Sequence, residues 1–183
     1  MSVSRRQFIE TSVAASALFA APALGSRPQK VLSARDFPLD DSFSDRSRKV
    51  LLMTCDEAQR MNDWYQGSEH LLLVLFAESE MSQTNWLEDL GINYEEVQCV
   101  ASYIVGNGRG QETSETIVFS DNLHTCLDNA IFAARESGHS KVQPEHLMIG
   151  IIESFGTTAN LLLQEMWMER GSVRLVAETS LNC

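Results

Sequence analysis

Hydrophobic residues recur along this chain with the period of a helix. Leu123, Leu127, Ala130, Ile131 and Ala134 fall at i, i+4, i+7, i+8 and i+11, which is one apolar helical stripe. Leu51, Cys55, Ala58 and Asn62 run along the comparable face of an earlier segment, flanked by Val50 and Met61. Residues 71–76 and 147–152 are nearly continuous apolar runs. Such a run fits a buried strand or a buried helix. Ser68 and Pro144 at their starts, a capping residue and a first-turn proline, favour the helix. Ser44 and Ser120 suit the N-cap position of the preceding helices, and Asp45 and Asp121 place an acid where the helix dipole favours it. Asn62 and Gly138 suit a left-handed helix stop. A short third helix is expected over 82–90 and again over 158–166. A fourth is expected over 94–105 and, less sharply, over 172–181. No segment of convincing length alternates with a period of two.

These elements form two copies of one unit. Phe43-Ser44-Asp45 recurs as Phe119-Ser120-Asp121, and Glu69-His70-Leu71 recurs as Glu145-His146-Leu147, both at an offset of 76 residues. Leu51 meets Leu127, Ala58 meets Ala134 and Leu87 meets Leu163 without a gap. Self-similarity at a fixed period marks a duplicated structural unit. The expected fold class is all-α: two pseudo-symmetric four-helix repeats packed as one domain. Repeat one covers 43–105, a polar Gly-rich connector 106–118, and repeat two 119–181.

Composition narrows the class. The chain has 183 residues, 44% of them hydrophobic, enough for one compact domain with a real core. Its formal net charge of −11 repels phosphate backbones and argues against nucleic-acid binding. Cys55, Cys99, Cys126 and Cys183 form no C-x-x-C pair and have no zinc-site spacing, so they read as small hydrophobes on buried helix faces. Residues 1–25 have the charged, apolar, small-residue order of a secretory signal. Ser4-Arg5-Arg6-Gln7-Phe8 resembles a twin-arginine signal in particular. Such a signal implies export of a folded protein to the periplasm or another extracytoplasmic space; a cytoplasmic arm is the alternative. The apolar stretch is too short to span a membrane, so no stable insertion is expected after signal removal. Residues 26–42 read as a flexible linker.

The motifs themselves resemble a family. F-S-D, G-S-E-H-L-L-L, Q-P-E-H-L-M-I-G-I and L-E-D-L-G-I are similar to the Clp N-terminal (Clp R) repeat, the substrate- and adaptor-binding domain at the front of Clp-type AAA+ unfoldases such as ClpC and ClpA. The resemblance covers 43 to about 181. The family's glycine after the E-H run is kept as Gly150 but replaced by Val74. Its G-E-G stretch is altered to Glu80-Met81-Ser82 and Phe155-Gly156-Thr157, and Gly171 stands where copy one has Glu95. No G-x-x-x-x-G-K-[ST] phosphate loop is present. The resemblance implies a non-catalytic binding module without an ATPase, with protein clients or a Clp-type partner and no cofactor. A ClpT-like accessory subunit of a Clp protease is the nearest alternative. A small α-helical hydrolase or metal-binding protein built on the Glu-His pairs is the rival from another class.

In the ClpC branch, the Glu of each E-H pair and a hydroxyl at the start of the first helix help to hold phosphorylated arginine. The matching positions are Glu69 with Ser44 and Glu145 with Ser120. A carboxylate accepts guanidinium N–H groups in a forked bond, and a helix start holds phosphate. First-turn capping by a Glu is the plainer role for both. Arg46 and Arg48 follow only Ser44, which favours the first site. His70 and His146 lack the partner of an H-E-x-x-H helix and fit hydrogen-bonded helix starts. His124 and His139 align with Arg48 and Asp63 and read as surface residues. Trp64-Tyr65 is either a partner anchor or a lid over the core, and Trp167 and Met168 extend either the core or a contact patch. The export reading is checked by replacing Arg5 and Arg6 with Lys: the precursor should stay inside, whereas the wild type should be exported and cleaved between Ala23 and Ser26. Normal processing of the double variant would refute it.

Overall fold

The computed structural model describes residues 41–82, 85–106 and 117–182. The signal-like segment, nearly all of the linker, most of the connector and Cys183 lie outside the described residues. Helices carry the fold: α1 (Asp45–Arg60), α2 (Ser68–Met81), α3 (Tyr94–Val105), α4 (Asp121–Glu136), α5 (Pro144–Glu153), α6 (Thr158–Glu165) and α7 (Arg170–Leu181). The 76-residue offset carries α1 onto α4 and α3 onto α7 end to end, and the start of α2 onto the start of α5.

Local chemistry sets these ends. The Ser44 and Ser120 hydroxyls accept hydrogen bonds from the backbone N–H of Ser47 and Leu123, both at 3.2 Å, and so cap α1 and α4. Asn62 and Gly138 end the same helices with φ of 60° and 73°. Asn93 and Glu96 form a reciprocal capping box at the start of α3. The apolar runs become α2 and α5, buried on all sides over 68–76 and 144–152. Helix α2 packs on α1, α3 and α6, α5 packs on α4 and α7, and the two touch each other. Leu51, Leu71, Leu87, Leu127, Leu147 and Leu163 all lie in the resulting core.

The two copies differ in their third element. Copy two has α6, preceded by Gly156 at a φ of 75° and capped by Thr157, whose hydroxyl accepts from Asn160 N at 3.4 Å. The matching residues in copy one are Glu80 and Met81, which neither stop a helix nor start one. Helix α2 therefore runs on to Met81. Asn85, at a φ of 36°, then bends the chain, and the Ser79 hydroxyl accepts from Leu87 N at 2.8 Å. Among the described residues of 82–90, where the sequence predicts a helix, a 3-10 turn forms over Glu88–Leu90.

Three smaller expectations also change. Tyr65–Gln66 (β1) pairs in parallel with Val118–Phe119 (β2), and Phe43 bridges Val142. Two-residue strands are too short to show an alternating pattern. Ser68 does not cap its own helix; its hydroxyl accepts from Ala159 N of α6 at 3.2 Å. Cys126 is buried as expected, but Cys55 is half-buried and Cys99 exposed.

Gly150 sits where α5 crosses α4. A Cβ there would stand 2.2 Å from the Cys126 carbonyl oxygen and 2.9 Å from Ala130 N, so only glycine permits this approach. Gly150→Ala should destabilise the domain by about 1–3 kcal/mol through forced separation of the helices. Urea denaturation at constant slope would show it as an earlier midpoint. An unchanged midpoint would mean that the crossing relaxes freely.

Candidate functional site

The candidate residues meet where the two copies exchange their leading segments. Ser44 N donates to the Val142 carbonyl at 3.0 Å, and Ser120 N donates to the Gln66 carbonyl at 2.9 Å. Gln66 and Val142 are equivalent under the repeat, as are Ser44 and Ser120, so the pairing is reciprocal in the manner of a twofold interface. The start of α1 therefore lies beside the start of α5, and the start of α4 beside the start of α2. Ser44 is grouped with the segment that carries Glu145, and Ser120 with the one that carries Glu69. This corrects the within-copy grouping expected from the sequence, because the sequence shows equivalence of residues but not which copies exchange partners.

Both glutamates are buried, Glu69 at 2% and Glu145 at 3% exposure. They are solved differently. Arg46, in the first turn of α1, donates from Nη1 to Glu145 Oε1 at 3.2 Å. The same guanidinium holds Glu78 Oε1 through Nε at 3.0 Å. Partial burial opposes the Arg46 charge, yet Glu145 and Glu78 more than offset this and raise its pKa. Arg46 thus serves Glu145, not Glu69 as its sequence position suggested. Arg48 pairs with Asp41 at 3.6 Å. The residue equivalent to Arg46 in copy two is the exposed Asn122. Among the described residues no Lys or Arg pairs with Glu69, and its Oε1 has no hydrogen-bond partner. Its other oxygen accepts a long hydrogen bond from the Ser68 hydroxyl, at 3.5 Å. A side chain at Gly67 would collide with this carboxylate, 2.2 Å from Oε1, so the glycine leaves it room. Glu69 also faces α4: burial raises the Cys126 thiol pKa, a Ser154 hydrogen bond works against that, and the Glu69 charge adds to the rise.

Each neighbouring histidine is spent on structure. His70 Nδ1 accepts from Gly67 N at 2.9 Å, so its neutral ring carries hydrogen on Nε2 and donates to Asp63 Oδ2 at 3.1 Å. His146 Nδ1 accepts from Gln143 N at 2.9 Å, and its Nε2 donates to His139 Nδ1 at 2.9 Å. His139 is therefore a half-buried partner rather than a surface residue, standing where copy one has Asp63. His124, also half-buried, meets the Phe119 ring edge-on at 5.6 Å. Tyr65 stands edge-on to His70 at 6.0 Å, as a lid would, while Trp64 beside it is exposed. Met168 joins the core, and Trp167 is exposed. Among the described residues no group of three or more His, Cys, Asp or Glu is placed to hold a metal ion.

A duplicated helical domain with exchanged leading strands and a Glu-His pair opening each central helix is a distinct architectural class. The chain belongs to the Clp repeat (R) N-terminal domain family, which matches residues 42–166. It is 36% identical over 121 residues to the negative regulator of genetic competence ClpC/MecB of Bacillus subtilis, across 66% of this chain and 15% of that protein. It is 28% identical over 173 residues to the chloroplastic chaperone protein ClpC1 of Oryza sativa subsp. japonica, across 94% of this chain and 18% of that one. The chain thus spans under a fifth of the length of these relatives. Its fold is similar to the crystal structure of the N-terminal domain of the chaperone ClpD from Arabidopsis thaliana, with a TM-score of 0.66 at 19% identity, covering 79% of this chain and 97% of that one.

The His146–His139 pair gives a pH dependence. Burial first, and His139 second, lower the His146 pKa from 6.5 to about 4. The unfolded chain accepts a proton that the folded one refuses. This contribution to stability is complete above about pH 6.5 and is lost as the pH falls towards 4. The unfolding free energy should drop by about 1–2 kcal/mol from pH 6.5 to pH 5, at roughly 1.4 kcal/mol per unit. His139→Asp, which copies Asp63, should flatten the decline. Equal slopes for variant and wild type in urea titrations would contradict this assignment.

Proposed function

We propose that this chain is a non-catalytic Clp-N module that binds proteins and recognises clients or a Clp-type partner through guanidinium groups carrying phosphate. The observation that carries the reading is the reciprocal placement of each buried glutamate beside the capped helix start of the other copy. A carboxylate accepts the forked N–H groups of a guanidinium, and helix-start amides and dipoles favour the adjoining phosphate. The four residues concerned are Ser120 with Glu69 and Ser44 with Glu145. The hydroxyls of both serines already cap their helices, so the phosphate would meet the remaining first-turn amides. The structural use of His70 and His146 supports binding over hydrolysis, because neither ring keeps a nitrogen free for acid–base work. Export through the twin-arginine route belongs to the same proposal and rests on Ser4-Arg5-Arg6-Gln7-Phe8.

Calorimetric titration of residues 26–183 with an arginine-phosphorylated protein, against the same protein dephosphorylated, tests the reading. Only the phosphorylated form should bind. Glu69→Ala should weaken it by about 1.5–3 kcal/mol, roughly tenfold or more, and by more than Glu145→Ala does. Equal binding of the two protein forms, or no heat with either at millimolar concentration, would refute it.

A further inference from the structure

The two copies place equivalent carboxylates in different states, and the difference traces to one position. Glu145 is already met by a guanidinium, that of Arg46, at 3.2 Å. Arg46 reaches it from the opposite copy, as an arginine of a bound protein would have to. Glu69 is as deeply buried, and among the described residues no Lys or Arg pairs with it. Each carboxylate keeps one buried oxygen without a hydrogen-bond partner, Glu69 Oε1 and Glu145 Oε2, so the difference between them lies in the guanidinium. Where Arg46 would recur, at the start of α4, the chain has Asn122, whose amide carries no charge and whose side chain is shorter and exposed. A buried carboxylate without a counter-charge is costly, and a cation that reaches it regains that cost as binding energy.

We propose that Arg46 is a built-in ligand that closes the Glu145 seat, and that the chain offers a single seat for an external guanidinium, at Glu69 beside the Ser120 helix start. This rests on the phosphorylated-guanidinium reading above and adds to it a stoichiometry and a cause. Glu78 strengthens the closure by holding the same guanidinium from α2, so an incoming arginine must break contacts with two carboxylates to displace it. At the Glu69 seat no guanidinium has to be displaced, although the groups that bury the carboxylate must part to admit one. The deletion of one positive charge between Arg46 and Asn122 converts a self-paired site into a receptive one.

The decisive variant is Asn122→Arg, which supplies α4 with the guanidinium that α1 already has. Asn122 is exposed, so the substitution leaves the core intact. Titration with the free amino acid phosphoarginine should give one site per wild-type chain. Asn122→Arg should weaken that site at least tenfold and raise the melting temperature, since Glu69 gains a counter-charge. Arg46→Gln should do the reverse, adding a second site and lowering the melting temperature. Two sites on the wild-type chain, or undiminished binding by Asn122→Arg, would overturn the proposal while leaving the pocket chemistry standing. Absence of binding by all three proteins would overturn the pocket chemistry and this assignment together. Arginine and inorganic phosphate, titrated separately, show which half of the ligand the seat recognises.

Discussion

Two backbone hydrogen bonds, Ser44 N to Val142 O and Ser120 N to Gln66 O, decide how the copies are joined. Each takes the chain just before the first helix of one copy and ties it just before the second helix of the other. Their acceptors, on Val142 and Gln66, lie on buried residues, and leaving a buried group of this kind unpaired would cost roughly 1–3 kcal/mol. Once they form, the starts of α1 and α5 face each other, as do those of α4 and α2. The Ser68 hydroxyl then meets α6, and Arg46 then meets Glu145. The interface between copies is thus the same thing as the placement of the candidate site. Neither glutamate has a second helix start beside it until the opposite copy has docked.

Exchange also explains why the copies diverge where they do. The core leucines repeat because both central helices need the same burial. The polar positions at the junction do not repeat, because each is answered by a different residue of the other copy. Asp63 and His139 are equivalent, yet one receives the His70 proton as a carboxylate and the other the His146 proton as a ring nitrogen. Gln66, fully buried with neither amide atom hydrogen-bonded, is equivalent to the apolar Val142. Arg46 and Asn122 follow the same rule with a full charge at stake. Glu145 is buried while its Arg46 partner is half-exposed, so losing Arg46 would leave a buried carboxylate without its counter-charge, which is a costly state. The self-paired side of the junction is therefore locked, and the other side is not.

The helices were legible in the sequence because caps, dipoles and apolar stripes are local signals. Ser44, Ser120, Asn62 and Gly138 each act where the pattern placed them. The third element of copy one was not legible in the same way. Its loss depends on Glu80 and Met81 failing to stop α2, and the altered loop was visible while its outcome was not. The burial of the glutamates was hidden for another reason. A Glu in a first turn reads as a surface cap, and only the docking of the second copy covers it. The same blindness led to the within-copy grouping of Ser44 with Glu69 and to the surface reading of His139. A 76-residue offset reports that two residues are alike, not which of them are neighbours.

The exchanged strands set an order of events for a chain made from its N-terminus. The segment before α1 has its partner at Val142, so the chain must be synthesised through residue 142 before the second of the two exchange bonds can form. The first copy meanwhile holds an apolar central helix whose covering surface includes α5 and α6, neither yet made. Contacts this distant in sequence carry a loop-closure cost before they return anything, and they slow folding. A ribosome pausing within the connector would expose α2 to any hydrophobic surface nearby. The repeat that looks self-contained on paper is, during biosynthesis, half of a fold waiting for the other half.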